Sequence, residues 1–199
     1  MAAKPKRVPP VTPFLWFDSQ LEDAIATYAS IFPKLKVTDV SRGPDGKVFS
    51  AQFQIGDQAF MGLNAGPVFR FNEAVSFYVA CKDQAEVDYY WYALTADGGK
   101  ESQCGWLKDR YGLSWQIIPD ALGECLGDPD PMKAGRAMQA MLGMRRLDIQ
   151  ALYDARDGKA TPRTTAATKS GARRAKEVGK SFPPAKKLTK PAKLSKKAR

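Results

Sequence analysis

Cys104-Gly105-Trp106-Leu107-Lys108-Asp109-Arg110-Tyr111-Gly112-Leu113-Ser114-Trp115-Gln116-Ile117-Ile118-Pro119 reads as strand, tight turn, strand. The turn is Asp109-Arg110-Tyr111-Gly112, with Trp106 and Trp115 on either side of it. Asp and Gly supply the backbone freedom a short connection demands, and the apolar flanks supply a face to bury. One residue interrupts the apolar register: Gln116 places an amide inside an otherwise apolar strand. A buried amide must find partners, so this position constrains whatever packs beside it.

Upstream, the pattern repeats. Residues 75–81 read as a strand, and Asp83 with Glu86 three residues on makes a helix-capping pair. Val87, Trp91 and Leu94 form that helix's apolar stripe, and Gly98-Gly99 stop it. The same order stands earlier. Residues 12–17 are a strand, and Ser19 with Glu22 makes a second capping box. Leu21, Ile25, Tyr28 and Phe32 follow at helical spacing before Pro33 ends the element. Strands over 36–42, 47–55 and 58–64 follow, separated by Gly43-Pro44-Asp45-Gly46 and Gly56-Asp57. The second module carries strands over 101–108 and 113–118. Gln20-x-Glu22 in the first half matches Gln84-x-Glu86 in the second. Neither module could bury its sheet face alone, so two must share a core.

The expected fold is therefore α+β: paired βαβββ modules at about 11–66 and 71–119. A helical extension follows over 120–156, flanked by a basic arm at 1–10 and a disordered basic tail at 157–199. In the extension, Asp128-Pro129-Asp130-Pro131 starts a helix. Met132, Met138, Met141, Leu142 and Met144 make a methionine-rich stripe suited to packing or to a subunit contact.

Charge is segregated. Residues 1–10 hold three basic side chains and no acid. Residues 11–157 hold 14 basic and 20 acidic, and residues 158–199 hold 14 basic against Glu177. The body is thus at −6 and the tail at +13. The tail has no apolar periodicity and one aromatic, Phe182, too little to offset chain entropy. Lys186, Lys187, Lys190, Lys193, Lys196 and Lys197 are spaced to neutralise phosphates without reading bases. The tail reads either as a contact for nucleic acid or as a solvated extension. Cys81, Cys104 and Cys125 are odd in number and widely spaced, which argues against a disulfide framework. No apolar run reaches the roughly 20 residues of a membrane span. The N-terminus carries charge and prolines but no apolar stretch, so the expected location is cytoplasmic.

These residues carry a resemblance. Thr12–Asp18, Phe60–Pro67, Phe71–Val79, Gln84–Asp88, Gly98-Gly99, Cys104–Pro119 and Met138–Leu152, in that order and spacing, resemble the PhnB-like branch of the vicinal oxygen chelate (glyoxalase/bleomycin-resistance) superfamily over roughly residues 11–156. The resemblance implies paired βαβββ modules, usually dimeric, with a small-molecule site in the sheet cups. Superfamily metalloenzymes hold a divalent metal there with His, Glu or Gln from four strands. Gln116 matches the last of those positions. The others fall within Phe14–Phe17, Phe60–Asn64 and Val75–Phe77, which offer no imidazole and no carboxylate. The chain has no His, and Val68 follows Gly66-Pro67 where close relatives often carry one. One amide with Asn64 and Ser76 is a poor set for a divalent ion, so neither metal nor other cofactor is expected.

Some members of this branch carry a ubiquinone-pathway methyltransferase label. No Gly-rich S-adenosylmethionine loop stands here, so methyl transfer is not expected. Without His or paired carboxylates, general acid–base catalysis lacks its usual groups, and only Glu73 offers itself. The expected function is binding of an unidentified small molecule by Gln116, Trp16, Asn64, Ser76, Tyr78 and Trp106 in a homodimer. The alternatives are a nucleic-acid-associated protein, or a scaffold whose domain has no enzymatic activity.

If the tail contacts nucleic acid, the contact is ionic and sequence-blind. Removing residues 158–199 should abolish duplex binding, because the acidic body repels the same phosphates. With roughly 6–10 phosphate contacts, affinity should fall on the order of a thousandfold between about 50 and 200 mM salt. Binding retained by the truncated chain in a mobility-shift titration would place the activity elsewhere.

Overall fold

The computed structural model describes residues 8–159. The basic arm and tail, with the six tail lysines named above, lie outside the described residues except at their inner ends. The first module runs β1 (Phe14–Phe17), α1 (Leu21–Ile31), β2 (Lys36–Arg42), β3 (Val48–Ile55) and β4 (Gln58–Asn64). The second runs β5 (Ser76–Cys81), α2 (Gln84–Thr95), β6 (Lys100–Glu101), β7 (Trp106–Lys108) and β8 (Ser114–Pro119). Helices α3 (Asp120–Leu126), α4 (Pro131–Leu142) and α5 (Ile149–Arg156) complete the chain. Each module forms a four-stranded sheet, ordered β1-β4-β3-β2 and β5-β8-β7-β6. In each, the first strand pairs in parallel with the last, and the remaining pairs are antiparallel. The α+β fold with paired βαβββ modules is the one the sequence predicts.

Local chemistry explains most boundaries. The Asp83 carboxylate accepts from Glu86 N at 2.9 Å, and Glu86 reaches back to Lys82 N at 3.0 Å, forming the expected cap. Asp130 accepts from Met132 N at 2.8 Å, with Pro131 in the first turn of α4.

Two expectations fail at this level. Ser19 does not cap α1. The helix starts two residues later, Glu22 pairs with Arg42 at 3.2 Å, and Leu21 N donates to Asn64 Oδ1 at 2.9 Å. The strand expected over 101–108 is broken. Cys104 and Gly105 take left-handed backbone angles, φ 57° and 84°, and their N–H groups donate to Met144 O and Arg145 O at 2.8 and 2.7 Å. A Cβ on Gly105 would lie 2.8 Å from Ile117 O, so only glycine permits this approach. The break is where the helical extension attaches to the second sheet.

Both modules bury one continuous core. Leu15, Phe17, Phe53 and Phe60 of the first sheet join Trp91, Leu107, Trp115 and Ile117 of the second module, with α1 and α2 between them. Phe60 meets Phe77 edge-on at 5.0 Å, and Phe32 of the first module stacks on Trp115 at 5.4 Å. A smaller cluster of Ile118, Leu122, Cys125, Ala137, Leu147 and Leu152 holds the extension. Among the described residues no helix is long and apolar enough to cross a membrane.

Asp109 lies at the centre of the junction. It is 5% exposed. Its carboxylate accepts from Tyr28 Oη at 2.7 Å, Trp115 Nε1 at 2.9 Å, Tyr111 N at 2.9 Å and Leu113 N at 3.0 Å. The sequence places it in a polar turn, and so it is, but the turn folds inward onto α1. Burial holds this carboxyl above the usual carboxylate range, while the four donors pull the other way. Burial, with Asp109 beside it, holds the Tyr28 phenol well above its ordinary value.

Because the folded chain binds this proton more tightly than the unfolded chain, Asp109's pH-dependent contribution is full below the unfolded pKa of about 3.9. It is lost as pH rises through the folded value. Urea denaturation should therefore show wild-type stability, taken relative to Asp109→Asn, declining as pH rises through that window. Asp109→Ala orphans four donors, three of them buried, and should cost about 3 kcal/mol or more. A loss under about 1 kcal/mol would remove Asp109 from its central place.

Candidate functional site

The pairing register sorts each sheet into two faces. In the first, Leu15, Phe17, Ala51, Phe53, Phe60 and Gly62 point toward α1. A Cβ on Gly62 would approach Leu21 Cδ1 to 2.7 Å. Phe14, Trp16, Gln52, Met61 and Leu63 take the opposite face. In the second sheet, Phe77, Leu107, Trp115 and Ile117 join the core, while Ser76, Tyr78, Trp106 and Gln116 alternate outward. Each module thus spends one face on the shared core, and the other is open except at buried Ala59, Ser114 and Ile118.

On the open face of the second sheet, Tyr78, Gln116 and Trp106 form one row across β5, β8 and β7, each directly opposite the next. Gln116 Nε2 donates to Ser76 Oγ at 2.8 Å. That bond fixes the amide's orientation and leaves Oε1 without a donor among the described residues. Tyr78 is 61% exposed. Burial of its inner part, with Asp120 and Cys81 nearby, raises its phenol above the ordinary value, so it remains a neutral hydroxyl at neutral pH. The row presents a carbonyl acceptor, a phenolic hydroxyl and an indole within one pleated surface.

Four of the six sequence candidates, Gln116, Ser76, Tyr78 and Trp106, come together here. Trp16 lies on the open face of the other sheet, where its Nε1 donates to Gly66 O at 2.9 Å and its ring meets Phe69 at 4.9 Å. Asn64 lies on the core side. Its Oδ1 caps α1, and its Nδ2 donates to Val48 O at 2.9 Å, so both ends of the amide serve the fold. Gln52 and Gln54, two residues apart on β3, lie outside the six sequence candidates. Both are half-buried on the open face, and neither makes a side-chain hydrogen bond among the described residues. The Gln-Phe-Gln alternation was the signal.

The superfamily's divalent metal does not fit these residues. The open faces offer amide and hydroxyl oxygens, and the Gln116–Ser76 pair is already bonded to itself. Hard and borderline cations need carboxylate or imidazole donors converging. Among the described residues no group of three or more His, Cys, Asp or Glu is placed to hold a metal. Glu73 is an equally poor base. It is exposed and bonded to Lys108, which lowers its carboxyl below the usual range.

Comparison with known proteins agrees with this architecture. A family model described as 3-demethylubiquinone-9 3-methyltransferase matches residues 9–118. Among solved structures, the chain is similar to a PhnB protein from Bacillus cereus, with 30% identity, 56% of this chain and 99% of that chain covered, and a TM-score of 0.52. A protein from Pseudomonas aeruginosa matches at 18% identity, covering 56% and 98%, TM-score 0.46. The fosfomycin resistance protein FosX from Listeria monocytogenes, complexed with manganese and sulfate, matches at 15% identity, covering 55% and 90%, TM-score 0.41. No curated protein matches.

Asn64→Ala should remove a helix cap and lower stability by about 1 kcal/mol in urea denaturation, with no rearrangement of the Gln116 row. A fully neutral substitution would show that α1 does not need this cap.

Proposed function

The chain belongs to the PhnB-like 3-demethylubiquinone-9 3-methyltransferase family of the glyoxalase (vicinal oxygen chelate) superfamily, and on that premise we propose that it binds a small molecule on the open faces of its paired sheets, without a catalytic metal. The observation that carries this reading is the Gln116–Ser76 bond, which aims an unspent carbonyl oxygen into a surface flanked by Tyr78 and Trp106. An amide held by one partner and open on the other side is a preorganised acceptor for a ligand N–H or O–H.

The groups present favour binding over methyl transfer. Neutral amides, hydroxyls and rings supply neither a base nor a cradle for a charged methyl donor. Residues 11–156 are the binding unit in this reading, with the extension over 120–156 as its buttress. Two copies form a homodimer that covers exposed apolar groups, including Phe14, Met132, Met138 and Leu142. The protein works in the cytoplasm, and the lysines of residues 158–199 add non-specific contacts to nucleic acid. The competing reading is a nucleic-acid-associated or scaffold protein whose domain binds no small molecule.

Thermal denaturation of the full chain against a panel of neutral and anionic metabolites separates the two. On the binding reading, at least one compound raises Tm. At a hundred times its Kd the stabilisation is about 2.7 kcal/mol. The shift should disappear in Gln116→Leu while that variant keeps its own cooperative unfolding. A panel without effect favours the scaffold reading, and an unchanged shift in Gln116→Leu places the bound compound away from the Gln116 row. Light scattering at micromolar concentration should give twice the mass of one chain.

A further inference from the structure

Loop residues 67–71, which join the two modules, face the 108–112 turn across a recess of about 460 Å³. The size is that of a small-ligand site. Trp16 is its one residue in common with the six sequence candidates, and Tyr78, Gln116 and Trp106 do not line it. It is therefore separate from the open-face row.

Its walls are aromatic. Trp16 and Phe69 meet edge-to-face at 4.9 Å, and Tyr111 meets Phe17 at 6.1 Å. Phe69 remains 63% exposed beside the recess. A large ring exposed to water and held against a second ring is a stacking surface.

Its polar lining is cationic. Arg70, Lys100, Lys108 and Arg110 all border the recess. Lys108 pairs with Glu73, and Arg110 with Asp97 at 2.9 Å. Arg70 and Lys100 have no ion-pair partner among the described residues. The carboxylates that border it are Asp18 and Asp109. Asp109 is occupied by four donors and buried from the opening. Two uncommitted cations thus stand beside exposed rings, with Asp18 as the one exposed carboxylate on the lining.

We propose that this recess is a binding site for an aromatic anion, a single ring bearing a carboxylate or phosphate. The ring would stack against Phe69 and Trp16, and the anionic group would take charge-assisted hydrogen bonds from Arg70 and Lys100. A neutral arene gains only the first contribution and an inorganic anion only the second, so selectivity requires both on one molecule. The site lies where both modules meet, so a bound anion reports on the module junction rather than on the Gln116 row.

Calorimetric titration of the full chain with phenyl phosphate tests this, with inorganic phosphate and phenol as the other arms. Phenyl phosphate should bind saturably, and each simpler probe should bind on the order of tenfold more weakly or less well still. The inorganic phosphate arm also reports the basic tail's general attraction for anions. Lys100→Glu and Arg70→Glu should each weaken phenyl phosphate on the order of tenfold or more. Phe69→Ala should weaken it without changing the response to inorganic phosphate. Lys36→Glu, on the far strand of the first sheet, should change nothing. Equal affinity for phenyl phosphate and inorganic phosphate, or insensitivity to both charge reversals, would overturn the proposal. So would an equal loss in Lys36→Glu.

Discussion

The junction between the modules depends on one buried carboxylate. Asp109 gathers a phenol from α1, an indole from β8 and two amides of its own turn. A charge in that position is costly unless its lone pairs are used, and here four donors reach the two oxygens. The consequence is geometric. Tyr28 cannot reach Asp109 unless α1 lies against the second sheet, and Trp115 cannot donate unless its ring faces inward. The aromatic contacts of Phe32 and Tyr28 with Trp115 follow from the same placement. An apolar interface alone would tolerate sliding of one module over the other, whereas directional bonds to one group do not.

The extension is fastened by a second set of directional contacts. Gln84 at the start of α2 donates to Leu147 O at 3.1 Å and accepts from Ile149 N at 2.9 Å. Arg146 pairs with Asp88 one turn along the same helix. On the other side, Cys104 and Gly105 leave the strand pattern to bond the loop after α4. The extension packs on Ile118, two residues beyond Gln116 on the same face of β8. The row of Tyr78, Gln116 and Trp106 lies beside that contact, with Tyr78 exposed and Gln116 and Trp106 half-buried.

An open sheet face carrying rings and amides has a physical cost in water, since apolar area stays exposed and amides stay solvated. Both sheets of this chain share that condition, because each spends only its other face on the common core. A ligand, a second copy, or both would relieve it. The neutral donor set on these faces fits recognition by hydrogen bonding and stacking rather than by metal coordination or proton transfer. The charged groups are placed instead around the junction recess.

Much of the architecture was legible in the residues themselves. Strand alternation, the Asp83–Glu86 cap, the Asp130-Pro131 helix start and the repeated module order are local signals. Each acts over a few residues along the chain, which is why a reading of the chain recovers them. Gln116 was visible as an amide out of pattern. What the residues could not show were partners distant in the chain. Ser19 and Glu22 form a capping motif on paper, but Asn64, 43 residues from Leu21, takes the cap and Arg42 takes the glutamate. Asp109 reads as a solvated turn residue until Tyr28, 81 residues away, is brought to it. Which amide caps a helix and which one faces a ligand depends on the side of the sheet each occupies. Pleating assigns alternate residues to opposite sides, but only the packing of α1 and α2 decides which side becomes the core.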